Sequence, residues 1–261
     1  MAAHAGADLY RTRAFLAEKV RAADFVTACV RGNADMLRSL AGEGRGRVVW
    51  LYHGTDLARF GSIVKARVEQ PMLLVVGRLA PAKGFDDAVM ALGRLRTRGV
   101  HARLVVVGDG PERARLESLA LEHGVREQVE FLGSLTHDAI VPLYASAWAL
   151  LAPSKVLANG RRDGIPNVVI EAMAAGIPVV GTRAAGLEEA IEPGVTGMLA
   201  DPGDPDALAA AIEPLVRDAE LADRMGLAAR SRVQSQFDAA LNFERLWRLF
   251  ASDGREGAAC A

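Results

Sequence analysis

"MLLVVGRLAPAKGFDDAVMALGRLRTRGVHARLVVVG", Met72–Gly108, is the stretch that decides the fold. Met72–Gly77 and Arg103–Gly108 are apolar without alternation, the pattern of strands buried on both faces. Between them Val89, Leu92 and Leu95 share a helix face with Ala88 and Ala91, and Gly99 stops that helix. The next segment, "PERARLESLALEHG", repeats the form: Pro111 suits the first helical position, Leu116, Leu119 and Ala120 make the stripe, and Gly124 ends it. Apolar runs at Val129–Gly133, Trp148–Pro153, Pro178–Thr182 and Gly197–Ala200 predict four more strands. This alternation predicts an α/β fold: a Rossmann-like doubly wound parallel sheet with helices on both faces. A domain of this size buries roughly 70% of its chain surface, enough for a core of its own.

The ends do not belong to that sheet. Residues 11–40 read as helices and are followed by one strand, Arg47–Gly54; one strand with two helices cannot bury its faces as a domain. After Asp204 come three helical stretches, the last being "FDAALNFERLWRLF", Phe237–Phe250. The small, polar tail after it is expected to be disordered.

Composition narrows the function. Charged residues make up 24% and hydrophobic ones 51% of the 261 residues, the balance of a globular protein. Lys plus Arg number 31 against 32 acidic residues, so no basic excess points to nucleic acid. The longest apolar stretch, Ala139–Pro153, is too short and too broken by Pro142 to span a bilayer, so no transmembrane segment is predicted. "MAAHAGADLYRTR" lacks the apolar core of a signal peptide, and Cys29 with Cys260 make neither a disulfide framework nor a metal site. The expected compartment is the cytoplasm. Only Lys19, Lys65, Lys83 and Lys155 are lysines, which makes each of them more informative.

Two stretches carry chemistry. In "VVGRLAPAKGFDDA", Arg78 follows a strand and Lys83 precedes a helix. Cations at a helix N-terminus oppose the macrodipole and make better sense with an anion between them and the backbone N–H groups; solvated loop residues are the alternative. In "RRDGIPNVVIEAMAAGIPVVGT", Pro166 starts a helix whose buried body runs from Val168 to Ala175. Glu171 then sits among apolar neighbours, past the first turn, where it needs donors such as ribose hydroxyls or a salt bridge. Asp163, beside Gly164, could reach a sugar hydroxyl or simply form a turn. "VVGDGPERAR" holds Gly108 and Gly110 but lacks the third glycine of a dinucleotide fingerprint, and a tight turn explains it better. No nucleophile–base pair and no metal cluster can be assembled.

Taken in order, "HGTDLARF", "VVGRLAPAKGFDDAVMAL", "VVVGDGPER", "VEFLGSL", "LLAPS", "DGIPNVVIEAMAAGIPVVGT", "GLEEAI" and "GVTGMLADPGDPDALAAAI" resemble the C-terminal half of the retaining GT-B glycosyltransferases of family 4. The likeness is nearest to bacterial exopolysaccharide-assembly members. It implies a retaining hexosyltransferase that binds a nucleotide-diphosphate sugar donor and acts on a glycan or glycolipid acceptor. Arg78 and Lys83 match the basic pair that neutralises the diphosphate. Glu171 matches the acid that holds the ribose, and Asp163 stands where the family more often has glutamate, beside the donor sugar. Backbone N–H groups around Gly164, Val168 and Val169 are implied to cover sugar and phosphate. Phe131–Leu135, with Gly133, is implied to lie beside the base. Arg78, Lys83 and Asp163 are thus the implied catalytic set. The favoured mechanism is front-face attack, the leaving phosphate accepting the acceptor's proton, with no metal bound.

The resemblance divides the chain into a remnant of an N-terminal acceptor domain (1–54), a linker (55–65), the nucleotide-sugar-binding domain (66–236), a crossover helix (237–250) and a disordered tail (251–261). With so little of the acceptor domain, the crossover helix is expected to lack a packing partner and to leave Leu241, Phe243, Leu246, Trp247 and Phe250 exposed. A separate acceptor-domain chain and peripheral membrane contact are the partners this suggests. Two other readings stay open: a donor-binding module inactive alone, and an NAD-dependent oxidoreductase.

Overall fold

The computed structural model describes residues 13–42, 47–66, 68–157, 164–184 and 186–251. They divide into two units, 1–56 with 236–261, and 57–235.

In the first unit, α1 (Arg13–Ala22), β1 (Phe25–Ala28), α2 (Arg31–Ala41) and β2 (Arg47–Trp50) follow one another, and β1 pairs with β2 in parallel. The expectation of helix throughout 11–40 is corrected here. "FVTA" buries Val26 and Ala28, a two-residue alternation too short to show against helical periodicity on either side. Leu16, Val20, Val26, Ala28, Ala34 and Leu37 form this unit's core.

The second unit begins with α3 (Leu57–Gly61), where 55–65 had been expected as a linker; Leu57 and Phe60 are buried, which makes this segment part of the domain. Then follow β3 (Met72–Val76), a 3-10 turn (Pro81–Lys83), α4 (Phe85–Thr97), β4 (Arg103–Val107), α5 (Arg113–Glu122), β5 (Val129–Gly133), α6 (His137–Ser146), β6 (Ala149–Ala152), α7 (Asn167–Ala174), β7 (Val179–Thr182), α8 (Leu187–Ala190), β8 (Gly197–Ala200), α9 (Pro205–Arg217) and α10 (Ala219–Gln236). The sheet order is β5-β4-β3-β6-β7-β8, every pairing parallel. Leu73, Val75, Leu104, Val106, Ala149 and Leu151 join one core cluster with residues of α4, α5 and α9. Their neighbours Met72, Leu74, Val105 and Leu150 are equally buried, so the strands are covered on both faces, as their unbroken hydrophobicity predicts.

Two helices depart from the sequence reading. Pro166 is the N-cap of α7 and not its first residue. The sequence reading assigns no helix to 137–146, a stretch it weighs only as a membrane span; Thr136 caps α6 by accepting from the Ala139 N–H.

The chain returns to the first unit with α11 (Ala239–Ala251). It has packing partners there, contrary to expectation. Leu249 and Asn242 are buried, the Phe25 and Phe250 rings meet edge-on at 5.0 Å, and Tyr52 stacks on Phe237 at 4.3 Å. Leu241 and Leu246 are half-buried, while Phe243, Trp247 and Phe250 remain exposed. No described helix is long and apolar enough to cross a membrane.

Candidate active site

The strand order places β3 beside β6, and the chain leaves these two strands in opposite directions along the sheet. Beyond their C-terminal ends the connections diverge, and the crevice between them is by topology the position where open α/β sheets bind ligands. One wall is the loop after β3, with Arg78 and Lys83. The other is the connection from β6 to α7, with Gly164; Arg161, Arg162 and Asp163 lie outside the described residues.

Arg78 is exposed and makes no hydrogen bond or ion pair with a described residue, so its guanidinium is available. Lys83 closes the 3-10 turn, its stem running over Gly77, where a Cβ would lie 3.7 Å from Lys83 Cε. The turn is pinned to the opposite wall. Gly84 has φ of 65°, and a Cβ on it would stand 1.8 Å from the Pro153 carbonyl oxygen. Lys155 then crosses between the walls. Its backbone N–H donates to the Ala82 carbonyl at 2.8 Å, and its Nζ donates to Asp86 Oδ1 at 2.8 Å and Asp87 Oδ1 at 2.7 Å. Asp87, buried at the start of α4, also accepts the Gly203 N–H at 3.1 Å.

Burial pulls Lys155 down, but its hydrogen bonds to Asp86 and Asp87, and then their charges, outweigh it and hold the amine above its usual range. Burial pushes Asp86 up, yet Lys155 and then Arg115 win and keep it low; for Asp87 burial prevails, and it is raised. This cluster was not anticipated. The paired acids in the first turn of a helix and the scarcity of lysine were its only signals.

On α7 the N–H of Val169 donates to the Pro166 carbonyl at 3.0 Å, so it is not available to a ligand, and the Val169 side chain belongs to the core. The N–H groups of Asn167 and Val168 donate to no described residue, as expected of a helix start. Glu171 is 6% exposed, as anticipated for an acid amid apolar neighbours. No described cation pairs with it. Its Oε2 accepts the Tyr144 hydroxyl at 3.0 Å, while its Oε1 accepts from no described residue. Tyr144, on the unexpected helix α6, is therefore a site residue that the sequence reading missed.

Gly133 ends β5 with φ of 69°, and its carbonyl accepts the Gly108 N–H at 2.7 Å. Phe131 is half-buried, with the Arg113 guanidinium 5.5 Å from its ring centre. The glycines of "VVGDGPER" serve the loops themselves. A Cβ on Gly108 would lie 1.9 Å from the Gly77 carbonyl oxygen and one on Gly110 2.4 Å from that of Leu79, so backbone approach between adjacent loops accounts for both.

The profile of the glycosyl transferases group 1 family matches residues 62–232, nearly the whole second unit. The chain belongs to this family. Among its relatives is a glycogen synthase of Mycobacterium tuberculosis, 34% identical over 84% of this chain and 52% of its own length. Another, from the same organism, is a GDP-mannose-dependent alpha-(1-6)-phosphatidylinositol monomannoside mannosyltransferase, 33% identical over 72% of this chain and 51% of its own length. The chain thus spans about half the length of these group 1 glycosyltransferases. A crystal structure of HepE from Anabaena in complex with UDP superposes with a TM-score of 0.80, covering 93% of this chain and 69% of that one, at 22% identity. That likeness agrees with the α/β fold and its parallel sheet.

Proposed function

We propose that this chain is the donor-binding half of a retaining family 4 glycosyltransferase, which takes a hexose from a nucleotide-diphosphate sugar for polysaccharide or glycolipid biosynthesis. The observation that carries the reading is the make-up of the crevice. An unpaired guanidinium and a pinned lysine turn stand on the β3 loop, and a buried carboxylate with one unused oxygen stands on the helix that follows β6. That set is complementary to a diphosphate joined to a ribose. Similar proteins point the same way: one relative depends on GDP-mannose, and one structural neighbour holds UDP.

In the proposed reaction the acceptor hydroxyl attacks the anomeric carbon from the face the diphosphate leaves. The C–O bond to phosphate breaks as the new glycosidic bond forms, and the departing phosphate oxygen takes the hydroxyl proton. The protein's main task is to stabilise charge on the leaving group. Arg78, Lys83 and the N–H groups of Asn167 and Val168 are the groups proposed for it, and this scheme assigns no part to a metal. Asp163 is proposed beside the donor sugar, Gly164 near the sugar and phosphate, and Gly133 near the base.

The acceptor is proposed to be held by a further domain, to which the first unit contributes; the second reading is a donor-binding module that acts only with a separate acceptor-binding chain. Assaying transfer from UDP- and GDP-hexoses, with and without a supplied acceptor domain, separates the two. The NAD alternative rests only on the Rossmann-like sheet, and the glycosyl transferases group 1 match favours sugar transfer over it.

A further inference from the structure

Tyr144 lies fully buried on α6, its ring edge-on to Phe60 at a centroid distance of 5.9 Å. Its hydroxyl donates to Glu171 Oε2 at 3.0 Å, a partner 27 residues away in sequence. A buried phenol proton needs an acceptor, and this carboxylate oxygen supplies it. Burial first, and then the charge of Glu171, push Tyr144 well above the usual phenol range, so it keeps its proton and acts as a donor.

The consequence for Glu171 is directional. A glutamate has three side-chain torsions to fix, and a donor on a ring held by packing fixes the last of them. Oε2 is then occupied, while Oε1 accepts from no described residue although the side chain is 6% exposed. A lone acceptor aimed in one direction at the edge of the core fits the hydroxyls of a ribose. A freely turning carboxylate would pay the ordering cost at each binding event.

We propose that Tyr144 is a positioning residue: its hydroxyl holds Glu171 so that the unused oxygen faces the 2′,3′-diol of the nucleotide's ribose. This rests on the reading of Glu171 as the ribose contact.

The test is discrimination against deoxyribose. Each of UDP, GDP and ADP is titrated calorimetrically into the protein beside its 2′-deoxy counterpart. Tyr144→Phe keeps the ring and removes the donor. It should lower the ribose-to-deoxyribose affinity ratio about tenfold, the scale of one hydrogen bond to a charged group, with deoxyribose affinity changed less than about threefold.

Glu171→Gln gives an independent arm if Tyr144→Phe does not fold. With Tyr144 donating to its carbonyl oxygen, the Gln side chain presents its NH2 to the diol, whose hydroxyl protons then lose their charged acceptor, and the ribose-to-deoxyribose ratio should fall about tenfold. Were Tyr144 not orienting it, the amide could flip and keep part of the preference. If Glu171→Ala abolishes the preference while Tyr144→Phe keeps the native ratio, weakens both ligands equally, or Glu171→Gln retains the preference, the proposal is overturned and the ribose reading stands. If Glu171→Ala leaves the preference intact, the ribose reading fails and the role of Tyr144 falls with it.

Discussion

Replacing Lys155 with methionine removes the cation that joins the two walls of the crevice while keeping most of its stem. A buried ion pair stripped of one partner costs about 3–5 kcal/mol, an exposed one about 0–1 kcal/mol. Lys155 lies between these limits, its side chain 23% exposed against 13% for Asp86 and 3% for Asp87. After the change Asp86 keeps Arg115 at 3.1 Å, but Asp87 keeps only the Gly203 N–H. The expected loss is therefore about 2–3 kcal/mol, nearer the buried limit. For a domain of this size that is a fall in Tm of about 5–10 °C.

The sign with pH follows from the directions. Lys155 is raised, so its contribution is fully present below its ordinary value of 10.5 and is lost as pH rises through the folded value. Asp86 is lowered, so its share is present above 3.8 and is lost as pH falls through its folded value. Asp87 is raised and works the other way, its ionisation costing stability as pH rises through its own folded value. The melting gap between native protein and Lys155→Met should hold through neutral pH and close in strong alkali. Lys155→Met combined with Asp87→Asn should recover about 1 kcal/mol or more, because the stranded carboxylate is gone. Scanning calorimetry of these three proteins and of Asp87→Asn alone measures this. A drop below about 2 °C, or strict additivity in the double variant, would refute a linking role for Lys155.

Arg78→Ala and Lys83→Ala should each weaken a nucleoside diphosphate about tenfold or more and the bare nucleoside hardly at all, by titration calorimetry, since charge-assisted bonds to phosphate are what is lost. Gly84→Ala, which sets a Cβ 1.8 Å from the Pro153 carbonyl oxygen at a φ of 65°, should cost about 2–4 kcal/mol by urea unfolding. Prolonged EDTA treatment should leave donor binding and any transfer unchanged; loss of binding that magnesium restores would contradict a leaving group neutralised by Arg78 and Lys83.

What the sequence made legible is what burial writes into local pattern. The four inner strands of the large sheet follow from apolar runs, because helices on both faces demand them, while the edge strands β5, interrupted by Glu130, and β8 are only partly buried. Glu171 stood out because an acid inside an apolar helix must have a reason. β1 was hidden by its length, and α6, which holds Pro142 inside its span, was left unassigned. Tyr144 was lost with α6, and its partner is far away in sequence. Lys155, Asp86 and Asp87 meet only because β3 and β6 are neighbours, a fact of sheet order that no local window contains.

The central claim is that the crevice between the β3 and β6 loops binds a nucleoside diphosphate as the leaving part of a sugar donor. A thermal-shift series with UDP, GDP, ADP and TDP at millimolar concentration tests it most directly. At a hundred times its dissociation constant the preferred diphosphate should stabilise the fold by about 2.7 kcal/mol, a rise of several degrees in Tm. Arg78→Ala combined with Lys83→Ala should abolish the rise. A folded protein whose melting none of the four shifts would contradict the claim.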